Sequence, residues 1–326
     1  METVKALVVE APGEVAIKQL TLDKLGSGNV LIKIAYSSIN FKDMLALEPR
    51  GGIIRDYPMI PGIDLSGWVV ASDDSKISVG QEVLVTGYGL GVNHPGGFAE
   101  YARVPADWLI PLPSGLSLKE AMVYGTAGVT AAMSVIELEQ AGMSPQQEPR
   151  ILLTGASGGV GSLALQFLVK AGYQNVQALI RKDYQASLVE NLGASKILLA
   201  SDLVSSGKPL EKQEFDYVLD TVGGEVLSRL LPKIAYGGAV TTCGNVGGLN
   251  LETTVFPFIL RGIRLIGIDS VALDQKKRQK IWSLLAKEWK LSSNEAVRVV
   301  RLEDVVQVAQ ELKAGQHLGR TIVEIS

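Results

Sequence analysis

Cysteine and histidine are almost missing from this chain. Among 326 residues there are one cysteine, Cys243, and two histidines, His94 and His317. A single cysteine excludes an internal disulfide and any cysteine-cluster metal site, and two histidines so far apart give no metal-ligand spacing. No metal is therefore expected. Also missing is any uninterrupted apolar run of roughly 18 residues, so no membrane span is expected. The first residues, Met1-Glu2-Thr3-Val4-Lys5, lack a basic region followed by a long apolar stretch. No signal peptide is expected, and a cytoplasmic protein is the default. A net charge of −3 without a basic stripe speaks against nucleic acid or an anionic membrane as partner. Internal repeats and low-complexity tracts are absent.

What the chain does have is glycine, 35 residues of it, clustered at turns in an ordinary globular balance of 47% hydrophobic and 20% charged residues. Its length allows two domains and a large core. The most informative stretch begins at Ile151. Residues 151–153 are a short apolar run of strand type, and Gly155-Ala156-Ser157-Gly158-Gly159-Val160-Gly161 follows. Residues 162–171 then show helical spacing, with Ala164, Leu165, Leu168 and Ala171 on one stripe before Gly172. Ala156, Gly158 and Gly161 take the three small-residue positions of a dinucleotide fingerprint. Strand, turn and helix in this order are the context that makes it credible. A side chain at Gly158 would block the backbone from a pyrophosphate, and one at Gly161 would hold the helix off the strand. The helix start, Ser157 to Gly161, offers N–H groups and a positive dipole end to the phosphates.

The next strand, 176–180, selects the cofactor. An NAD site places Asp or Glu at its end to accept from the ribose hydroxyls. Arg181 and Lys182 stand there instead. Two cations suit a 2′-phosphate, so NADP(H) is the expected cofactor; the alternative is a pair of solvated loop cations.

Residues 1 to about 120 read as short strands punctuated by Gly and Pro, at 4–9, 30–36, 67–70, 82–85 and 98–104, which makes a mainly β domain. A helical tract is expected over 116–139. From Ile151 onward strands and helices alternate, with later strands at 196–199, 217–220, 239–242 and 264–268. That alternation implies the α/β class, with a doubly wound parallel sheet covered on both faces. Helices are expected over 274–290 and 303–314, and 320–325 as a terminal strand returning to the first domain.

Five segments then occur in a telling order. They are Ser37-Ser38-Ile39-Asn40-Phe41-Lys42-Asp43, Pro58-Met59-Ile60-Pro61-Gly62-Ile63-Asp64, Gly125-Thr126-Ala127-Gly128-Val129-Thr130-Ala131, the glycine turn at 155–161, and Gly319-Arg320-Thr321. Together they resemble the medium-chain dehydrogenase/reductase superfamily over essentially the whole chain. The nearest resemblance is to its zinc-free, quinone oxidoreductase-like branch, in the acryloyl-CoA reductase group. The resemblance implies a Rossmann doubly wound parallel sheet plus a β-rich GroES-like domain. The GroES-like catalytic domain would take 1–121 and 272–326, and the NADP-binding Rossmann domain 122–271. Zinc alcohol dehydrogenases of the superfamily carry a Cys near Asn40 and a Gly-His-Glu where this chain has Gly62-Ile63-Asp64; neither ligand is kept. Without zinc there is no Lewis acid for an alcohol or ketone, which favours reducing an already activated C=C. The resemblance thus implies an NADPH-dependent oxidoreductase that transfers hydride to the β-carbon of a small α,β-unsaturated acyl-CoA such as acryloyl-CoA. Negative charge would develop on the carbonyl oxygen. A quinone, enone or enal reductase is the second reading, and a nucleotide-binding protein without turnover the third. A homodimer is expected.

Asn40 and Asp64 are the catalytic candidates. The resemblance puts Asn40 in the loop that faces the nicotinamide, where its amide would donate to a carbonyl or to the cofactor ribose; the other reading is a turn-forming Asn. Asp64 would orient a water or the Lys42 ammonium, or simply pair with Lys42 or Arg55. Phe41 is placed to pack on the nicotinamide. Thr130 lies close to it, or else bonds back to the Thr126 carbonyl. The rest of the cofactor set is Ser157, Gly158, Gly159, Val160, Gly161, Arg181, Lys182, Thr221, Cys243, Gly244 and Arg320. Thr221 and Cys243-Gly244 end strands at the carboxyl edge of the sheet, where ligands bind in such folds. Cys243 reads as a buried structural thiol rather than a nucleophile. Tyr88 and Tyr124 are candidate proton donors, and Arg50, Arg55 and Arg261 candidate partners for CoA phosphates.

Overall fold

β-branched and aliphatic residues alternating with polar ones build the N-terminal strands, and continuous apolar runs build the later ones. The computed structural model describes residues 3–291 and 296–326. Along the chain run β1 (Thr3–Ala11), β2 (Glu14–Thr21), β3 (Val30–Ile39), α1 (Phe41–Leu47), β4 (Asp64–Ser72), β5 (Glu82–Thr86), β6 (Tyr101–Val104) and β7 (Ile110–Pro111). Then come α2 (Leu118–Gln140), β8 (Ile151–Thr154), α3 (Gly159–Lys170), β9 (Val176–Ile180), α4 (Ala186–Asn191), β10 (Lys196–Leu199), β11 (Phe215–Asp220) and α5 (Gly224–Leu230). The chain ends with β12 (Ile234–Thr242), α6 (Phe256–Arg261), β13 (Arg264–Gly267), α7 (Gln275–Ala286), β14 (Val297–Arg301), α8 (Val305–Lys313) and β15 (Arg320–Glu324). Met1–Val129 with Ser270–Ser326 form one compact unit, and Thr130–Asp269 form another.

In the first unit β1 and β2 make an antiparallel hairpin, and a seven-stranded sheet runs β14-β15-β3-β4-β5-β7 with β6 also on β3. The terminal strand β15 lies antiparallel to β3, with Thr321 opposite Ile39, so it returns to the N-terminal unit as expected. Strand β14, parallel to β15, has no counterpart in the sequence reading. Its Val-Arg-Val-Val-Arg run is mostly exposed and carries little apolar signal. The segment 116–139 is not one helix. Gly125, at φ 50 and ψ −154, breaks α2 in two, a conformation that only glycine holds without strain. Among the described residues α2 alone is long and apolar enough to cross a membrane, but 78% of that window is buried in the fold, as in a core helix.

In the second unit all six strands are parallel, in the order β10-β9-β8-β11-β12-β13. This is the doubly wound Rossmann order, and every residue of β8 is buried. The chain direction of growth reverses between β8 and β11. Ligands of such sheets bind outside the carboxyl ends of the strands at that reversal.

Candidate active site

Strand β3 ends at Ile39 and α1 begins at Phe41, so Asn40 is the N-cap, with extended backbone. Its own N–H donates to Asp43 Oδ2 at 2.8 Å, the return half of a capping box. Asn40 Nδ2 donates to Asp64 Oδ2 at 2.8 Å and to Asp43 Oδ2 at 3.2 Å, while its Oδ1 accepts from Arg320 Nη1 at 3.2 Å. Asp64 opens β4 and is 0% exposed. Its carboxylate also accepts from Ser38 Oγ at 2.6 Å, from the Thr126 N–H at 3.0 Å and from Thr126 Oγ1 at 2.5 Å. Arg320, 2% exposed, further donates to the carbonyls of Val123 at 2.9 Å and Ile39 at 3.1 Å, and its Nη2 has no hydrogen-bond partner among the described residues.

Two buried carboxyls and one buried guanidinium thus share the Asn40 amide. Burial, and after it the charge of Asp64, push the Asp43 carboxyl up to about 7. Gly125 closes over the cluster: a Cβ there would lie 2.5 Å from Asp64 Oδ2 and 2.8 Å from Ser38 Oγ. Both N–H bonds of the Asn40 amide point at carboxyls. A substrate oxygen gains a donor from Asn40 only by displacing one of them.

The second unit holds the glycine turn expected to cradle a nucleotide. The Gly158 N–H donates to the Gly155 carbonyl at 2.9 Å, and Gly158 caps α3. A Cβ at Gly161 would lie 2.2 Å from the Gly155 oxygen, so Gly161 sets the approach of helix to strand. A Cβ at Gly158 would meet only that same oxygen, at 3.3 Å, and would otherwise project into open space. These are the two uses the fingerprint makes of its glycines. Ser157 is buried, and the N–H groups of Gly159, Val160 and Gly161 lie in the first turn of α3, where the helix supplies no acceptor.

Asp220 ends β11, fully buried. It accepts from Thr154 Oγ1 at 2.7 Å, Thr242 Oγ1 at 2.9 Å and the Gly223 N–H at 3.0 Å, tying together the carboxyl ends of β8, β11 and β12. Thr221 Oγ1 donates to the Thr154 carbonyl at 2.8 Å, and a Cβ at Gly244 would lie 1.8 Å from the Thr221 oxygen. The loops after β11 and β12 therefore touch through backbone. Burial, then Asp220, pushes the Cys243 thiol up to about 12, which leaves no thiolate near neutral pH. Arg181 and Lys182 follow β9 with exposed side chains, and both their N–H groups donate to Gln185 Oε1, at 2.9 and 3.0 Å. Thr130 is buried at the start of this unit, and its carbonyl accepts from Ser134 Oγ at 2.8 Å.

Several expectations need correction. Asp64 makes no ion pair with Lys42 or Arg55; it is enclosed by neutral donors with Arg320 close by. Arg261 is no partner for CoA phosphates. It is buried and donates to the carbonyls of Pro232, Ile234 and Glu211. The Tyr88 hydroxyl donates to Gln275 Oε1 at 2.7 Å and its ring stacks on Trp108, while the Tyr124 hydroxyl accepts from the Leu291 N–H at 2.8 Å. Both tyrosines tie elements together. Arg50 and Arg55 remain exposed, and Phe41 is half-buried against the core beneath α1. The sequence reading passed over Ser38, Asp43, Asp220 and Gln185 as site residues. Only Asp43 had a legible signal, its place three residues after an N-cap Asn.

Two sequence families match the chain: alcohol dehydrogenase GroES-like domain over residues 26–114, and zinc-binding dehydrogenase over residues 159–287. The chain is 43% identical over 323 residues to the probable acrylyl-CoA reductase AcuI of Escherichia coli, covering 98% of this chain and 99% of that protein. The crystal structure of the yhdH oxidoreductase from Salmonella enterica in complex with NADP is similar with a TM-score of 0.95 and 44% identity, over 99% of this chain and 100% of that one. Bacillus subtilis protein yhfP with NAD bound is similar with a TM-score of 0.94 and 44% identity, again over 99% and 100%.

Proposed function

This chain belongs to the medium-chain dehydrogenase/reductase superfamily, and from that premise we propose that it is an NADPH-dependent oxidoreductase reducing the C=C bond of a small α,β-unsaturated acyl-CoA such as acryloyl-CoA. The observation that carries the reading is the full-length similarity to a probable acrylyl-CoA reductase, together with the loops at Asn40 and at Gly62-Ile63-Asp64, which lack the Cys and His that the resemblance gives zinc relatives there. The cradle fits the cofactor: Gly158 is open on its outer side, Gly161 is closed, and two cations follow β9.

When bound, NADPH supplies the hydride. The residues of the chain bind, orient and meet charge. The turn Ser157-Gly158 and the first turn of α3, whose Gly159, Val160 and Gly161 N–H groups have no acceptor within the helix, would receive the pyrophosphate. Arg181 and Lys182 meet the 2′-phosphate as charge-assisted donors. Thr221, Cys243 and Gly244, where the loops after β11 and β12 meet backbone to backbone, would form one wall of the cofactor cleft. Asn40 meets the charge that develops on the thioester oxygen, giving up its 3.2 Å bond to Asp43 while the 2.8 Å bond to Asp64 keeps the amide oriented. Asp64 and Arg320 act through Asn40 as positioning residues.

A homodimer belongs to the same proposal. Strand β13 ends the six-stranded sheet. The preceding stretch exposes Val246, Leu249 (84%), Val255, Ile259 (67%) and Leu260. An edge strand preceded in sequence by several exposed apolar side chains suits a second copy of the chain. The function is tested by following NADPH absorbance with acryloyl-CoA, crotonyl-CoA and a benzoquinone in parallel. Turnover of the enoyl thioesters is expected. Turnover of the quinone alone would move the function to quinone reduction, and turnover of none would leave a nucleotide-binding protein.

A further inference from the structure

We propose that Gln185 is a specificity-determining positioning residue: it fixes the turn after β9 so that Arg181 and Lys182 both face the 2′-phosphate of the cofactor. The inference rests on the NADPH reading above. A strand that stops leaves backbone N–H groups in need of acceptors. At the end of β9 one atom, Gln185 Oε1, takes two of them: the Arg181 N–H at 2.9 Å and the Lys182 N–H at 3.0 Å. The Gln185 N–H in turn donates to the Lys182 carbonyl at 3.0 Å, so residues 181–185 form a closed ring of hydrogen bonds. Gln185 is 7% exposed, while Arg181, Lys182, Asp183 and Tyr184 around it are all exposed. With the two N–H groups drawn inward to a single oxygen, the side chains of the same residues are turned outward.

The chemistry of the acceptor matters as much as its place. A carboxylate at position 185 would accept the same two N–H bonds, more strongly. It would also add a negative charge within the turn that is to bind a phosphate, next to the one Asp183 already contributes. NAD sites use an acidic acceptor near this point for ribose hydroxyls. Here the acceptor is neutral and is spent on the backbone, which leaves the outer face of the turn cationic. Gln185 therefore combines two properties, anchoring and neutrality, that separate substitutions can take apart.

The test measures Kd for NADPH and for NADH by fluorescence titration in wild type, Arg181→Ala, Gln185→Glu and Gln185→Leu. Wild type should prefer NADPH, and Arg181→Ala should lose that preference about tenfold. Gln185→Glu keeps both acceptor bonds and should weaken NADPH about tenfold or more, with NADH within about twofold. Gln185→Leu loses the anchor at similar volume and should weaken NADPH severalfold while sparing NADH. If Arg181→Ala removes the preference but both Gln185 variants move the two cofactors equally, or move neither, Gln185 is a structural cap and the inference falls alone. If wild type binds NADPH and NADH equally, the NADPH reading falls and takes the inference with it. Should Gln185→Leu fail to fold, Gln185→Met, which keeps the length of the side chain and lacks the acceptor oxygen, tests the anchor in its place, with the same outcomes.

Discussion

Asp43 is the residue whose charge the fold alters most within the neutral range. Its carboxyl rises from the ordinary 3.8 to about 7, through burial first and the neighbouring Asp64 second. Between those values the folded chain holds a proton that the unfolded chain has lost. The contribution of this group to stability is therefore full below about pH 4, declines as the pH rises, and is lost as it passes through about 7. Asn40, Ile63, Asp64 and Arg320 face the group and stay in place in an Asp43→Asn variant. Calorimetric melting at pH 5 and pH 8 should show wild type losing more stability than Asp43→Asn over that interval. Equal losses would assign the pH dependence to other groups. Asn40→Ala strips the shared donor from both carboxyls. It should cost about 1–3 kcal/mol of stability and lower kcat roughly ten- to a thousandfold with the cofactor Kd nearly unchanged. An unchanged kcat on the best enoyl-CoA would deny Asn40 a part in meeting the oxyanion.

At the scale of elements, the junction of β8 with α3 separates two glycines that look alike in the sequence. A methyl at Gly161 would meet the Gly155 carbonyl at 2.2 Å, backbone against backbone, so α3 has to move. Gly161→Ala should destabilise the chain by about 1–3 kcal/mol and disturb cofactor binding together with it. A methyl at Gly158 meets that oxygen at 3.3 Å and otherwise open space. Gly158→Ala should melt near the wild-type temperature yet bind NADPH more weakly, because the obstruction faces the ligand. The pair is checked by melting temperature and NADPH titration; matched losses of stability in both variants would contradict the division of labour. Element α2 teaches a related point. Its apolar spacing predicts one helix, but the backbone turns at Gly125 (φ 50, ψ −154), where a side chain would run into Asp64, Ser38 and Arg320.

At the scale of the molecule, the apolar stretch before β13 calls for a cover. Leu249, Val255, Ile259 and Leu260 are each exposed within twelve residues of sequence, and β13 is an edge strand of its sheet. Sedimentation of the 34.8 kDa chain should give the mass of a dimer. The double variant Ile259→Glu, Leu260→Glu should shift it toward monomer, since charges are disfavoured at the core of an interface. A monomeric wild type at micromolar concentration would refute the dimer.

The sequence by itself determined the class of the fold and the order of its parts. Strand, glycine turn and helix are local signals, read from residues within one or two turns of each other, and the proposal that Arg181-Lys182 meets a 2′-phosphate likewise rests on position after the next strand. The terminal strand was legible for the same reason. Tertiary structure alone decided what the polar residues do. Asp64 draws donors from Ser38, Asn40 and Thr126, and Arg320 reaches back to Asn40 across most of the chain. No spacing rule encodes such a meeting, so Asp64 looked like a loop ion pair. Arg261 looked like a surface cation until its guanidinium was found among three carbonyls in the core. A charge in a sequence is solvated by default, and only the packing of distant segments shows which charges the protein solvates itself.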